Sequence, residues 1–153
     1  MMGSTHFLTG AVVGATVGMK TGNILEGAAL GGFAALLPDV DHPGSIVGKL
    51  VRPVAVVLEA ISGHRSITHT IWFCLVTSLA LAALFSNLGF FWILFLGSFS
   101  HIMLDSLTRS GTTPIPPLPF HPRGPFTTGN ILTEGVISAL AVFMLIKILS
   151  ISI

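Results

Sequence analysis

From Ile131 to Ile153 the chain runs through an almost wholly apolar stretch whose only charged residues are Glu134 and Lys147. About 20 such residues cross the hydrocarbon core of a bilayer as a helix. In a soluble protein a helix that is apolar all round has to be buried on every side. Here little polar material is available to bury it, since only 8% of the 153 residues are charged and 52% are hydrophobic, against roughly a quarter charged in soluble domains. The composition therefore predicts an integral membrane protein. A net charge of +1 without basic clusters excludes an electrostatic footprint for nucleic acid. The single cysteine, Cys74, cannot form an intrachain disulfide and reads as an inert packing residue.

Apolar runs between polar or glycine-rich breaks predict five helices, Thr5–Met19, Ile24–Leu37, Thr70–Phe85, Gly89–Leu107 and Ile131–Ile153, in one all-α membrane-embedded domain over residues 1–153. The first two are short and read as a tight hairpin. Gly-Asn within Lys20–Asn23 marks its turn, and Gly10, Gly14, Gly18, Gly27, Gly31 and Gly32 form small-residue faces for close packing. The first run carries His6 and has no basic leader before it, so it reads as a retained helix rather than a signal peptide. Between the second and third helices, Leu50–Ile61 reads as an interfacial helix. The proline-rich segment Thr108–Gly129 reads as an ordered loop.

Ionisable groups at membrane depth cost roughly 2.5 kcal/mol or more unless paired, hydrated or bound, so their positions carry information. If each helix crosses, one end of the bundle collects His6, Asp39, Asp41, His42, His64, His69, His101, Asp105 and Glu134. The other end holds little beyond Lys20, Glu26, Asn87 and Lys147. Polar residues merely seeking the surface would populate both ends. His101 and Asp105 stand one helical turn apart on one face, and Asp39-Val40-Asp41-His42 packs three donors where the chain leaves the membrane. His64 and His69 add two imidazoles, with Thr68 or Ser66 as candidate cap of the third helix. Mixed imidazole and carboxylate ligation suits zinc, iron or manganese better than calcium or magnesium. His121 stays outside this set, in the proline-rich loop.

The ordered blocks Thr5-His6, Leu37-Pro38-Asp39-Val40-Asp41-His42-Pro43, Gly63-His64-Arg65-x-x-Thr68-His69, His101-x-x-x-Asp105-x-Leu107-Thr108-x-x-Gly111 and Gly129-Asn130-x-x-x-Glu134 resemble the YdjM-like family of inner-membrane metal-dependent hydrolases. That family is similar to the zinc-dependent phospholipase C fold. Ser66 stands where glycine is more typical. The resemblance implies hydrolysis of a phosphate ester by a metal-activated water. Within it, His6, Asp39, His42, His64, His69, His101 and Asp105 are expected as ligands of one to three divalent transition metals, zinc foremost. Asp41 is expected as ligand or general base, and Glu134 as ligand or as acceptor orienting an imidazole. Arg65, with Arg109 and Arg123 opposite, could neutralise a phosphate. The implied partners are the lipid bilayer and a lipid or other phosphorylated substrate.

A metal transporter and a haem-binding redox protein, with His6, His69 and His101 as axial ligands, are the competing readings. The site end carries Lys49, Arg52, Arg65, Arg109 and Arg123 against Lys20 and Lys147 opposite, which predicts a site facing the cytoplasm. Five crossings then put residue 153 outside the cytoplasm. A topology reporter fused there should read non-cytoplasmic, and a cytoplasmic reading would break the five-crossing arrangement.

Overall fold

The computed structural model describes residues 1–62 and 67–151. Seven α-helices account for most of them: α1 Gly3–Thr21, α2 Ile24–Ala34, α3 Ile46–Leu50, α4 Arg52–Ser62, α5 Ile71–Leu84, α6 Phe90–Ser106 and α7 Ile131–Ile151. A 3-10 turn, Leu37–Asp41, follows α2. The described residues contain no strand, only one isolated bridge between Thr108 and Phe126. The all-α bundle expected from the sequence is thus observed. α7, at 21 residues, is long and apolar enough to cross a membrane, while α5 and α6 are shorter apolar helices.

The α1–α2 hairpin closes where Gly22 takes φ 79°, a left-handed conformation that suits glycine, and where Asn23 accepts a bond from the Glu26 N–H as the α2 cap. Its two helices approach through glycine. A Cβ on Gly14 would lie 2.9 Å from the Gly31 Cα, and one on Gly97 of α6 would also lie 2.9 Å from it. No side chain fits at either contact. Gly31 is therefore where α1, α2 and α6 meet.

α2 stops three residues short of the expected Leu37, and the reason is covalent. Pro38 has no N–H to return to the Ala34 carbonyl, and Asp39 N–H bonds to Leu36 O instead of reaching Ala35. Two carbonyls are left for outside partners. Both are taken by α6: Ser98 Oγ donates to Ala34 O at 3.0 Å, and His101 Nδ1 lies 2.7 Å from Ala35 O. Ala34, Ala82 and Leu94 form the apolar core beneath, where α2, α5 and α6 pack together.

The helix expected over Leu50–Ile61 is α4, which starts two residues later, at Arg52, after the short α3. Pro53 cannot donate to Lys49 O, so α3 ends at Leu50 and α4 begins afresh at Arg52. The cap of α5 also differs from expectation. Thr70, rather than Thr68, accepts the bond from Phe73 N–H, and the Thr68 hydroxyl is turned to Asp41 instead; Ser66 lies outside the described residues. α7 packs chiefly on α1.

Gly31→Val should lose folded protein, since overpacking a tight contact costs about 1–3 kcal/mol and more where only backbone can yield. Gly135→Ala, with open space around it, should leave the unfolding temperature in detergent within a degree or two of wild type. Equal behaviour of the two variants would contradict the glycine contact.

Candidate metal centre

Four elements bring the donors together. α1 supplies His6, the 3-10 turn Asp39, the segment before α5 His69, and α6 both His101 and Asp105. His6, His69 and His101 are fully buried, Asp105 is 1% exposed, and Asp39 is the most open at 17%. Ser45 holds the 3-10 turn by donating to Asp39 O at 2.7 Å.

The protons can be assigned from the partners. A carbonyl only accepts, so His101 Nδ1 carries its hydrogen toward Ala35 O and leaves Nε2 with a lone pair. Thr68 Oγ1 gives its one hydrogen to Asp41 Oδ2 at 2.7 Å. Toward His69 Nδ1, 3.0 Å away, the same oxygen can then only accept. His69 Nδ1 is consequently the N–H and its Nε2 the lone pair. The two Nε2 lone pairs face each other at 3.1 Å, and two acceptors at that distance require a positive species, proton or metal cation, between them.

The surrounding atoms could hold a metal. Asp39 Oδ1 lies 3.7 Å from His69 Nε2 and 3.6 Å from His101 Nε2. Asp105 Oδ2 lies 3.7 Å from both. A tetrahedral ion with bonds near 2.1 Å holds its donors roughly 3.4 Å apart, so the five separations bracket that edge. His6 stacks on His101 with ring centroids 3.6 Å apart. Its Nε2 stands 3.2 Å from Asp105 Oδ1 but off the line that a hydrogen bond needs, and neither ring nitrogen makes one among the described residues. Asp105 Oδ1 also pairs with the Met1 amino group. Two donor triads result, His6–His101–Asp105 and Asp39–His69–His101, with His101 common to both.

The remaining expected residues sit elsewhere or act differently. Asp41 is fully buried and is turned to Thr68, outside both triads. His42 is about half-exposed, with Nδ1 3.7 Å from Glu59 Oε1. Glu134 takes up bonds from Thr5 Oγ1, Met2 N–H and Gly129 N–H, which pins the start of α7 to α1. His64 and Arg65 lie outside the described residues. Arg109 and Arg123 are exposed on the loop. His121 bonds with Thr113 and Ser110 O inside that loop, and Cys74 is buried in α5. Sequence reasoning passed over Thr68 as a relay, although its place directly before His69 was visible. The Ala35 carbonyl left no sequence signal at all.

Thr68→Val removes the acceptor that fixes the His69 tautomer and leaves Asp41 without that donor. It should weaken metal affinity about 10- to 100-fold, with Thr68→Ser restoring most of it. Competition against a chromophoric chelator reads the difference, and equal affinity in Thr68→Val and wild type would remove the relay.

A family model described as YdjM inner membrane protein matches residues 1–152. The chain is 27% identical over 143 residues to "Uncharacterized protein YvsG" of Bacillus subtilis, covering 92% of this chain and 89% of that one. It is 30% identical over 122 residues to the inner membrane protein YdjM of Escherichia coli, covering 72% of this chain and 61% of the relative's length. The Shigella flexneri protein of the same name matches to the same extent. No solved structure gives a significant match.

Proposed function

The chain belongs to the YdjM inner membrane protein family, and we propose that it is a multi-pass, metal-dependent hydrolase whose site faces the cytoplasm and acts on a phosphate ester, a phosphorylated lipid above all. The observation that carries this reading is the pair of lone-pair nitrogens, His69 Nε2 and His101 Nε2, set between Asp39 and Asp105 with their opposite ring nitrogens committed as donors. Two nitrogens and two carboxylate oxygens suit zinc, manganese or iron. An ion held there would polarise a water toward hydroxide and draw charge from a phosphoryl oxygen.

The protein's own groups divide the remaining work. Asp105 turns Oδ1 toward His6 and the Met1 amino group and Oδ2 toward His69 and His101, so Oδ2 would join an ion held at those two rings. His101 Nε2 has a single lone pair and would serve one ion only. Asp41 acts through Thr68, holding His69 in its ligating tautomer. His42 lines a cavity of about 230 Å³ beside Asp39. Half-exposed and paired with Glu59, it is the group suited to hand a proton to a leaving alcohol. The stacked His6 and His101 rings leave no gap for a porphyrin between them, which weighs against the haem reading.

Detergent-purified protein should carry about one or two equivalents of a transition metal. Asp105→Ala and His69→Ala should lose metal and phosphatase activity together, whereas His42→Ala should keep the metal and lose roughly 10²- to 10⁴-fold in kcat. Elemental analysis alongside turnover of a water-soluble phosphate ester separates the roles. Wild-type protein without stoichiometric metal, or with metal content indifferent to Asp105→Ala and His69→Ala, would sink the reading.

A further inference from the structure

α4 is the one strongly amphipathic helix among the described elements. Ala55 is fully buried, and Glu59 reaches His42, so this face packs on the site. Val54, Val57 and Ile61, spaced three and four residues apart on the opposite face, are 53%, 54% and 77% exposed. Leu50 at the end of α3 extends the stripe at 80% exposed, and Ile46, one turn earlier, joins it to the cavity wall. Exposed Lys49 and Arg52 flank the stripe. The cavity itself is two-faced: Leu36, Ile46 and Val47 form an apolar side, Asp39 and His42 a polar one. At about 230 Å³ it falls below the 300–1,000 Å³ of pockets that enclose whole ligands. It can take a polar head but not the chains attached to it.

We propose that the α3–α4 segment docks on the lipid surface, with Leu50, Val54, Val57 and Ile61 in the acyl boundary, and that the cavity beside Ile46 thereby receives the anionic headgroup of a lipid still resident in the leaflet. Three observations select the bilayer as occupant. The stripe lies at the end of the bundle where α2 stops and α5 begins, the level at which an inner membrane protein leaves the hydrocarbon. Lys49 and Arg52 complement anionic headgroups, and an amphipathic helix with basic flanks is the form that lies in an interface. Finally, exposed Leu50 shares the short helix α3 with exposed Ile46, which lines the cavity. The docking stands on these residues alone; the identity of the headgroup as a phosphate to be cleaved rests on the hydrolase reading.

The test uses full-length protein in phosphatidylcholine vesicles containing phosphatidate, with a fluorophore on Val57→Cys or Ile46→Cys and the buried native Cys74 left unlabelled. The Val57 probe should be quenched by lipids carrying a nitroxide high on the acyl chain, and the Ile46 probe by lipids carrying it on the headgroup. Quenching of both by aqueous iodide instead, or protection from iodide and nitroxide lipids alike as a contact between two copies of the chain would give, overturns the docking. A second arm compares hydrolysis of vesicle phosphatidate with that of its water-soluble dibutyryl analogue. In Val57→Asp/Ile61→Asp the ratio of the two rates should fall at least roughly tenfold, the effect of withdrawing two apolar side chains from lipid. An unchanged ratio overturns lateral entry. If wild type cleaves neither ester, the hydrolase reading fails while the quenching still decides the docking.

Discussion

Two carbonyl groups at the end of α2 govern how the rest of the bundle is arranged. Pro38 removes the N–H that Ala34 would have received, and the turn that follows diverts the one meant for Ala35. Left unpaired in an apolar interior, each would cost about 1–3 kcal/mol. Ser98 and His101 satisfy them, and they can do so only because Gly97 lets α6 close on Gly31. The same bond that relieves the Ala35 carbonyl also decides which nitrogen of His101 faces the other donors. Packing and site chemistry therefore share one contact, and a change in either is felt in both.

That sharing explains why so many costly groups are gathered in one place. Three imidazoles and a carboxylate fully or almost fully removed from solvent are tolerable only when each is oriented by a neighbour and their charges are balanced. His101 leans on a backbone carbonyl and His69 on the Thr68–Asp41 pair. Asp105 is drawn between His6 and the other two rings. Glu134 serves the same assembly from outside, since by tying Gly129 and Thr5 together it sets where His6 enters.

The helices were legible because runs such as Phe90–Ser106 are apolar almost throughout, and the convergence of His6, Asp39, His69, His101 and Asp105 was legible because each stands at or near the end of an apolar run. What the residues could not disclose was which donors turn inward. Asp41 and Asp39 are two residues apart and chemically identical, yet one is turned to Thr68 and the other to the two imidazoles. His42 is set beside Glu59 rather than the triads by the turn that Ser45 closes. Glu134 reads as a ligand or an imidazole-orienting acceptor because it is acidic and stands in the first turn of its helix; its partners are backbone N–H groups and a hydroxyl that no motif announces. The start of α4 at Arg52 was visible in principle, since Pro53 has no N–H to give Lys49 O and so cannot continue α3.

The burial of the donors also bears on how the folded chain responds to its surroundings. In the unfolded chain the same imidazoles and carboxylates are scattered and bind an ion weakly, so any ion held at His69 and His101 favours the native state by mass action. At free metal a thousandfold above its dissociation constant that coupling amounts to about 4 kcal/mol, comparable to much of a domain's net stability. If an ion is held there, folded abundance becomes a readout of its free concentration.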